Sequence, residues 1–187
     1  AGAFHGACWR IDGVNVIVLK QPLRYPARWL FDLLHEIRHA GESPDADEFE
    51  VVEEPEVSDE RRNSKEEQEA SWFAGQVSLD GRAEEFVKEC LALAKNDLRG
   101  LKKALTVVAA ERGISASVLA NYMAFRLSLQ GENWWGVAAN IQDKSFDPLT
   151  VARNLFFERF HFNELSQSDS NLLSLALHDE EIGRAHV

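Results

Sequence analysis

Apolar residues cluster in short runs near the start of the chain, and from about residue 27 onward they recur every three or four positions. In "CWRIDGVNVIVLK", residues 8–20, Trp9 and Ile11 precede an Asp12-Gly13 pair, and Val14 to Leu19 form a β-branched run. Asp-Gly between two such runs signals a hairpin, because a tight turn there needs residues that tolerate positive φ. Pro22 and Pro26 break the strand. A helix then fits from about Ala27 to Ala40, with Leu30, Leu33, Leu34 and Ile37 as its apolar positions. Gly41 supplies a stop, and Pro44 follows.

Beyond Gly41 the pattern is interrupted by an acidic stretch containing Pro44 and Pro55. Within it "FEVVEEPEV" has only Phe49, Val51 and Val52 as early apolar anchors, which predicts a short edge strand. A second helix fits Asn63 to Leu79 and ends at Asp80-Gly81. Helical spacing continues over Glu84 to Lys95 and Leu98 to Arg112, then through Leu129 from a cap at Ser115 or Ser117. Asp147-Pro148 opens a further helix, with Pro at its first position, and Ser168 to His178 suggests a last one. The fold class is therefore α+β. A small β-sheet with two helices occupies residues 1–81, including an acidic loop over 42–62, and a mainly helical region, 82–187, packs on it.

Composition narrows the setting. The chain has 187 residues and is 45% hydrophobic, enough for one core, or one domain with a helical appendage. No apolar run is long enough to span a membrane, and no leader pattern indicates secretion. Cys8 and Cys90 are too few for a thiolate metal cage or a disulfide framework, which favours a cytoplasmic location. The sequence begins at Ala1 and its one methionine is Met123, so either an initiator was removed or the sequence is a fragment, for which a missing N-terminal domain is one reading.

The net charge of −11 is local: from Glu42 to Glu69, thirteen acidic residues face only Arg61, Arg62 and Lys65. The rest is nearly neutral and holds no basic recognition helix, which argues against direct nucleic-acid binding. The acidic run reads as a solvated, mobile loop, and a cationic protein would be drawn to it.

The first predicted helix contains His35-Glu36-x-x-His39. Residues four apart on a helix lie one above the other, so two imidazoles can reach one ion about 2.0–2.1 Å away. Glu36 is rotated about a sixth to a third of a turn from them. From there it reaches a water beside the metal rather than the metal itself, and can take the water's proton and pass it to a leaving amine. The competing reading makes the three incidental polar residues opposite a Leu30/Leu33/Ile37 stripe.

A catalytic zinc needs a third protein ligand and an open position. The second predicted helix offers Glu66, Glu67 and Glu69. If Glu67 faces the metal, Ser71 and Ala74 share its stripe, and their small side chains let the two helices approach. Ser64-x-x-Glu67 also fits a capping box, in which the glutamate turns back to the helix start. A helix starting at Ser64 makes Glu67 a cap, and one starting a turn earlier leaves it to ligate. Spacing alone leaves these alternatives open.

Taken together, the hairpin, "RYPARWLFDLLHEIRHA" and "EEQEASWFAGQVSL" resemble the ImmA/IrrE family of bacterial metallopeptidases over about residues 8–80. Members show a strand, an H-E-x-x-H helix and a second helix reading E-x-x-A-N-x-F-A and ending in L-L-M-P. Here the second helix reads Glu67-Gln68-Glu69-Ala70-Ser71-Trp72-Phe73-Ala74. The resemblance implies zincin-like helices, Zn2+ held by His35, His39 and Glu67, and Glu36 as general base. It also implies cleavage of a regulatory protein, in this family often a helix-turn-helix transcriptional repressor encoded beside the peptidase or fused to it. Arg38 replaces the usual glycine of the metal helix, Ser71 replaces asparagine, and "QVSL" replaces L-L-M-P. The alternative is a non-catalytic, zinc-containing regulatory interaction module.

Of the remaining residues, Trp134 and Trp135 read as packing residues rather than a substrate platform. Tyr122 and His161 are candidates to donate to an oxyanion. Cys8 reads as a small buried side chain, and Arg38 as a partner for a loop carboxylate.

Overall fold

The computed structural model describes residues 6–19, 23–52, 64–161 and 164–178. These contain strands β1 (Gly6–Ile11), β2 (Val14–Leu19) and β3 (Phe49–Val52). The helices are α1 (Pro26–Ala40), α2 (Lys65–Ser78), α3 (Ala83–Leu93), α4 (Leu98–Arg112), α5 (Ala116–Ser128), α6 (Trp135–Ala139), α7 (Pro148–Arg159) and α8 (Gln167–His178). No helix among the described residues is long and apolar enough to cross a membrane.

The hairpin forms through Asp12 and Gly13, with φ of 49° and 75°, values a two-residue turn of this hand requires. β1 is the central strand of an antiparallel sheet ordered β2-β1-β3, with Cys8 opposite Ile17 on one side and Val51 on the other. Four of the nineteen residues of the acidic stretch 42–60 are therefore sheet, and residues 53–63 lie outside the described ones. Gly6, Ala7 and Cys8 are buried, which suits a central strand. Arg10, also on β1, donates to the carbonyls of Ala40, Ser43 and Ala46 and to Asn15 Oδ1. One buried guanidinium thereby satisfies the C-terminal end of α1 and the turn after it.

Pro26 starts α1 at the position where a missing N–H costs nothing, one residue before the predicted start. Gly41 ends the helix with φ −86°, without using the left-handed freedom that usually selects glycine at such ends. The face α1 buries is not the one its leucines predict. Leu30, Leu33 and Ile37 are 41%, 37% and 41% exposed, whereas Phe31, His35, Glu36 and His39 are buried. The histidine face turns inward because polar partners on α2 meet it there.

The compact unit containing the sheet runs to Ser145, so α3 to α6 belong with residues 1–81 in one body. Its core centres on α5, which buries Leu119, Ala120, Tyr122, Met123, Phe125 and Leu127. Ser115, not Ser117, caps α5 by accepting from the Val118 N–H at 3.3 Å. Ser117, two residues further on, is buried, donating to the Ile141 carbonyl and accepting from the Asp143 N–H. Phe31 of α1 reaches this core with its ring 6.5 Å from that of Phe125. Each large side chain buried there contributes about 1.5–3 kcal/mol. A Cβ on Gly75 of α2 would overlap the Tyr122 ring, so glycine there lets α2 lie against α5.

The described residues after Ser145 fall in a second compact unit. Asp147 caps α7 through the Leu149 N–H, the Phe156 and Phe160 rings stack at 4.7 Å, and Arg153 donates to the Leu177 carbonyl of α8.

Candidate metal centre

His35 and His39 lie one turn apart on α1, and both turn Nε2 toward α2. Their Nε2 atoms are 3.1 Å apart. His35 Nε2 lies 3.1 Å from Glu67 Oε2, and His39 Nε2 lies 3.5 Å from Glu67 Oε1. A tetrahedral ion with bonds of about 2.0–2.1 Å spaces its ligand atoms about 3.3–3.4 Å apart, close to these separations, two of which run to different oxygens of Glu67. Two imidazole nitrogens and a carboxylate converging on one point form a group that could hold a metal ion. The donor set is one that zinc accepts.

The competition over Glu67 ends with both roles partly filled. α2 starts at the Ser64 cap, whose Oγ accepts from the Glu67 N–H at 3.3 Å. The Glu67 carboxylate nonetheless faces the histidines, so only half of a capping box forms. The two predicted cases were not exclusive, because backbone and side chain of the third helical residue point in different directions. Glu66 is exposed, and Glu69 is tied to Arg38 at 3.3 Å and Lys65 at 3.2 Å. Neither belongs to the cluster.

Ser71, one turn after Glu67, lies 3.1 Å from His35 Nδ1. When a metal replaces the Nε2 proton, His35 can donate from Nδ1 to Ser71 and present Nε2 as a lone pair, the usual way an outer partner sets a ligand's tautomer. His39 Nδ1 is buried without a hydrogen-bond partner, its near neighbour being Glu42 Oε1 at 3.7 Å. Arg38 holds Glu42 at 3.3 Å as well as Glu69, so one cation ties the end of α1 to α2.

Electrostatics favour charge at this point. Burial pushes the Glu67 carboxyl up, but the hydrogen bonds from His35 and His39 outweigh it and hold the group far below the usual carboxylate range. Burial lowers His39, yet its hydrogen bond to Glu67 prevails and the imidazole lies above its ordinary value. A carboxylate that stays ionised beside two imidazoles offers negative charge to a cation held between them.

Glu36 is 1% exposed and sits beneath the start of β1, where a Cβ on Gly6 would overlap its Oε1. The carboxylate raises the nearby Cys8 thiol, an effect second to burial. Glu36, His35 and Ser71 line one end of a cavity of about 120 Å3. Its other end is formed by Arg28, Phe31 and Asp32 of α1 and by Trp135 of α6. Arg28 pairs with Asp32 at 3.0 Å, and its guanidinium lies 4.5 Å from the Trp135 ring centre. Helical spacing back from His35 could have marked Phe31 and Asp32, four and three residues earlier. Nothing in the pattern pointed to Gly6, and Trp135, weighed in the sequence as a packing residue, arrives from a distant element.

Trp134 packs in the core and Trp135 packs against it, as expected, while Trp135 also lines the cavity. The Tyr122 hydroxyl, a candidate oxyanion donor, donates to Glu84 at 2.6 Å and is fully buried, which commits it elsewhere. His161 lies exposed in the second unit. No protein-family model, curated protein or solved structure matches the chain.

Proposed function

We propose that this chain is a cytoplasmic zinc metalloendopeptidase of the ImmA/IrrE type, cutting a regulatory protein such as a helix-turn-helix repressor. The reading is carried by the convergence of His35, His39 and Glu67, with Glu36 buried nearby and lining one cavity together with His35. When bound there, a zinc ion supplies Lewis acidity toward a peptide carbonyl and a water. Glu36 accepts the proton of the water that attacks the carbonyl carbon, then delivers it to the amide nitrogen as the C–N bond breaks. Ser71 keeps the His35 ring oriented throughout. The repressor as substrate rests on the family resemblance, and the acidic segment suits a cationic DNA-binding protein.

Glu36→Gln tests the proposal. The variant is expected to keep one zinc per chain, read by metal analysis, and to lose cleavage of a peptide pool. The near-complete burial of Glu36 favours a second reading, a metal-holding interaction module that cuts nothing. In that case wild type and Glu36→Gln bind zinc alike and neither yields products.

A further inference from the structure

The β1–β2 hairpin has two faces, and α1 packs on one of them, where Gly6 lies against Glu36 and Arg10 reaches the end of the helix. Alternation along β1 puts Ala7, Trp9 and Ile11 on the opposite face, and the antiparallel register sets them beside Val18, Val16 and Val14. A sheet face turned to water usually carries polar residues, yet none of these six is charged. Exposure grows toward the turn. Ala7 is covered, Val18 and Val16 are 40% and 42% exposed, and Ile11 and Val14 are 60% and 64% exposed. The turn itself is ringed by carboxylates. The Gly13 N–H donates to the Asp47 carbonyl at 3.3 Å, which brings the acidic turn after α1 to the tip of the hairpin. Asp12, Asp45, Asp47 and Glu48 are all exposed there. Among the described residues of the hairpin and of 41–52 the one base is Arg10, buried and bound on the inner face.

We propose that this outer face is a docking surface for a basic amphipathic helix of a partner protein. The helix lays its apolar stripe on Trp9, Ile11, Val14 and Val16 and turns its lysines or arginines toward Asp12, Asp47 and Glu48. A sheet that is apolar on both faces needs a layer on each, and α1 supplies only the inner one. Charge selects the occupant of the other. A second copy of this chain would bring an identical ring of carboxylates, and an anionic membrane or a nucleic acid would meet the same repulsion. A cationic helix buries the valines and pairs its charges at once. The surface needs neither a metal nor cleavage, so the proposal stands apart from the peptidase reading. Glu36→Gln is accordingly expected to bind such a helix as wild type does.

Fluorescein-labelled synthetic peptides test the surface on the full chain, read by anisotropy at low and high salt. One is a leucine-striped helix with lysines elsewhere, another has the same stripe with glutamates, and the last is a scramble of the first without a stripe. The basic striped peptide is expected to bind on the order of tenfold more tightly than either other, and to lose most of its advantage over the acidic one at high salt. On the 15N-labelled chain it is expected to move the amide signals of Ile11, Gly13 and Val16 and to leave that of Leu172 in place. Val14→Thr with Val16→Thr keeps two β-branched residues on the strand and is expected to weaken binding about tenfold. Asp12→Asn, Asp47→Asn and Glu48→Gln together are expected to weaken it about fivefold and to flatten the salt dependence. Removing the same charge at exposed positions elsewhere, with Glu111→Gln, Glu132→Gln and Glu158→Gln, is expected to leave it unchanged. Should the threonine pair not fold, the signals that move in wild type decide the site. No binding, equal binding of the basic peptide and either other, or shifts confined to another surface overturns the proposal. A chain that sediments as a dimer by itself, and as a monomer with the threonine pair, assigns the face to a second copy and overturns it too.

Discussion

Glu67 gives its backbone N–H to Ser64 Oγ at 3.3 Å while its carboxylate turns away toward His35 and His39. The cap at the start of α2 thus fixes the turn that aims the third member of the cluster. Ser64→Ala is expected to cost about 1 kcal/mol of stability, as loss of a helix cap usually does, and to weaken metal binding only modestly. Glu67→Ala is expected to lose bound zinc, while Glu66→Ala and Glu69→Ala retain it. Metal content of the four purified variants, beside their urea midpoints, checks both parts. Zinc retained by Glu67→Ala and lost in either neighbour would mean that the cluster is wrongly composed.

The same pair of helices sets a pH dependence with two opposing signs. His39 is raised in the folded protein, so its contribution to metal-free stability is present below the ordinary imidazole value of 6.5 and is lost as pH rises through its folded value. Glu67 is lowered, so its contribution is present above the ordinary carboxylate value of 4.5 and is lost as pH falls through its folded value. The metal-free protein therefore draws most from this pair between about pH 4.5 and 6.5. Zinc requires the unprotonated imidazole, so its affinity is expected to climb through the raised His39 value with release of protons. Melting curves with zinc and with chelator, from pH 5.5 to about 8.5, are expected to diverge as pH increases. Curves that stay parallel would remove His39 from the ligand set.

Outer partners offer a finer test. Ser71 is 3.1 Å from His35 Nδ1, and Glu42 is 3.7 Å from the buried His39 Nδ1. Ser71→Ala is expected to weaken zinc binding by roughly ten- to a hundredfold, the usual effect of removing an outer partner, with Ser71→Thr restoring most of it. Glu42→Ala is expected to act in the same direction by leaving His39 Nδ1 without a nearby acceptor. Glu48→Ala, on the same acidic stretch, serves as the control that only changes charge. Competition titrations against a chromophoric chelator measure all four, and a Glu48→Ala effect equal to that of Glu42→Ala would reduce the Glu42 effect to bulk electrostatics.

The path from sequence to this site was direct where the chemistry lies within one helix. His35, Glu36 and His39 were legible because their spacing on a helix fixes their common side before any tertiary contact is known. Glu67 was legible only through the family resemblance, since spacing gave Glu66, Glu67 and Glu69 equal standing. The burial of α1 was misread. Leu30, Leu33 and Ile37 form the more regular apolar stripe, yet they face outward because the histidine face gains Glu67, Ser71 and the sheet as partners. Periodicity reports which side chains prefer burial, and cannot weigh a polar cluster formed across two helices. Trp135 and Arg10 were silent for a related reason, as their roles exist only once α6 and β1 have docked against α1.

Gly6 and Glu36 allow the proposed acid–base role of Glu36 to be separated from metal binding without touching a carboxylate. Gly6 lies on the central strand, and a Cβ there would overlap Oε1, Cδ and Cγ of Glu36. None of these atoms belongs to His35, His39 or Glu67, so Gly6→Ala displaces the base while leaving the ligands in place. Overpacking of this kind costs about 1–3 kcal/mol, and the fold of this β-strand tolerates alanine's backbone preferences. The variant is expected to bind zinc as wild type does and to lose cleavage by about 10²- to 10⁴-fold, the range assigned to a positioned general base. Gly136→Ala is the matched control, because a Cβ there meets nothing within 4 Å. In helix α6 it is expected to leave cleavage unchanged and to stabilise slightly, as alanine does in place of glycine. If Gly6→Ala cleaves at the wild-type rate, Glu36 does not hold the proton that the mechanism requires it to move.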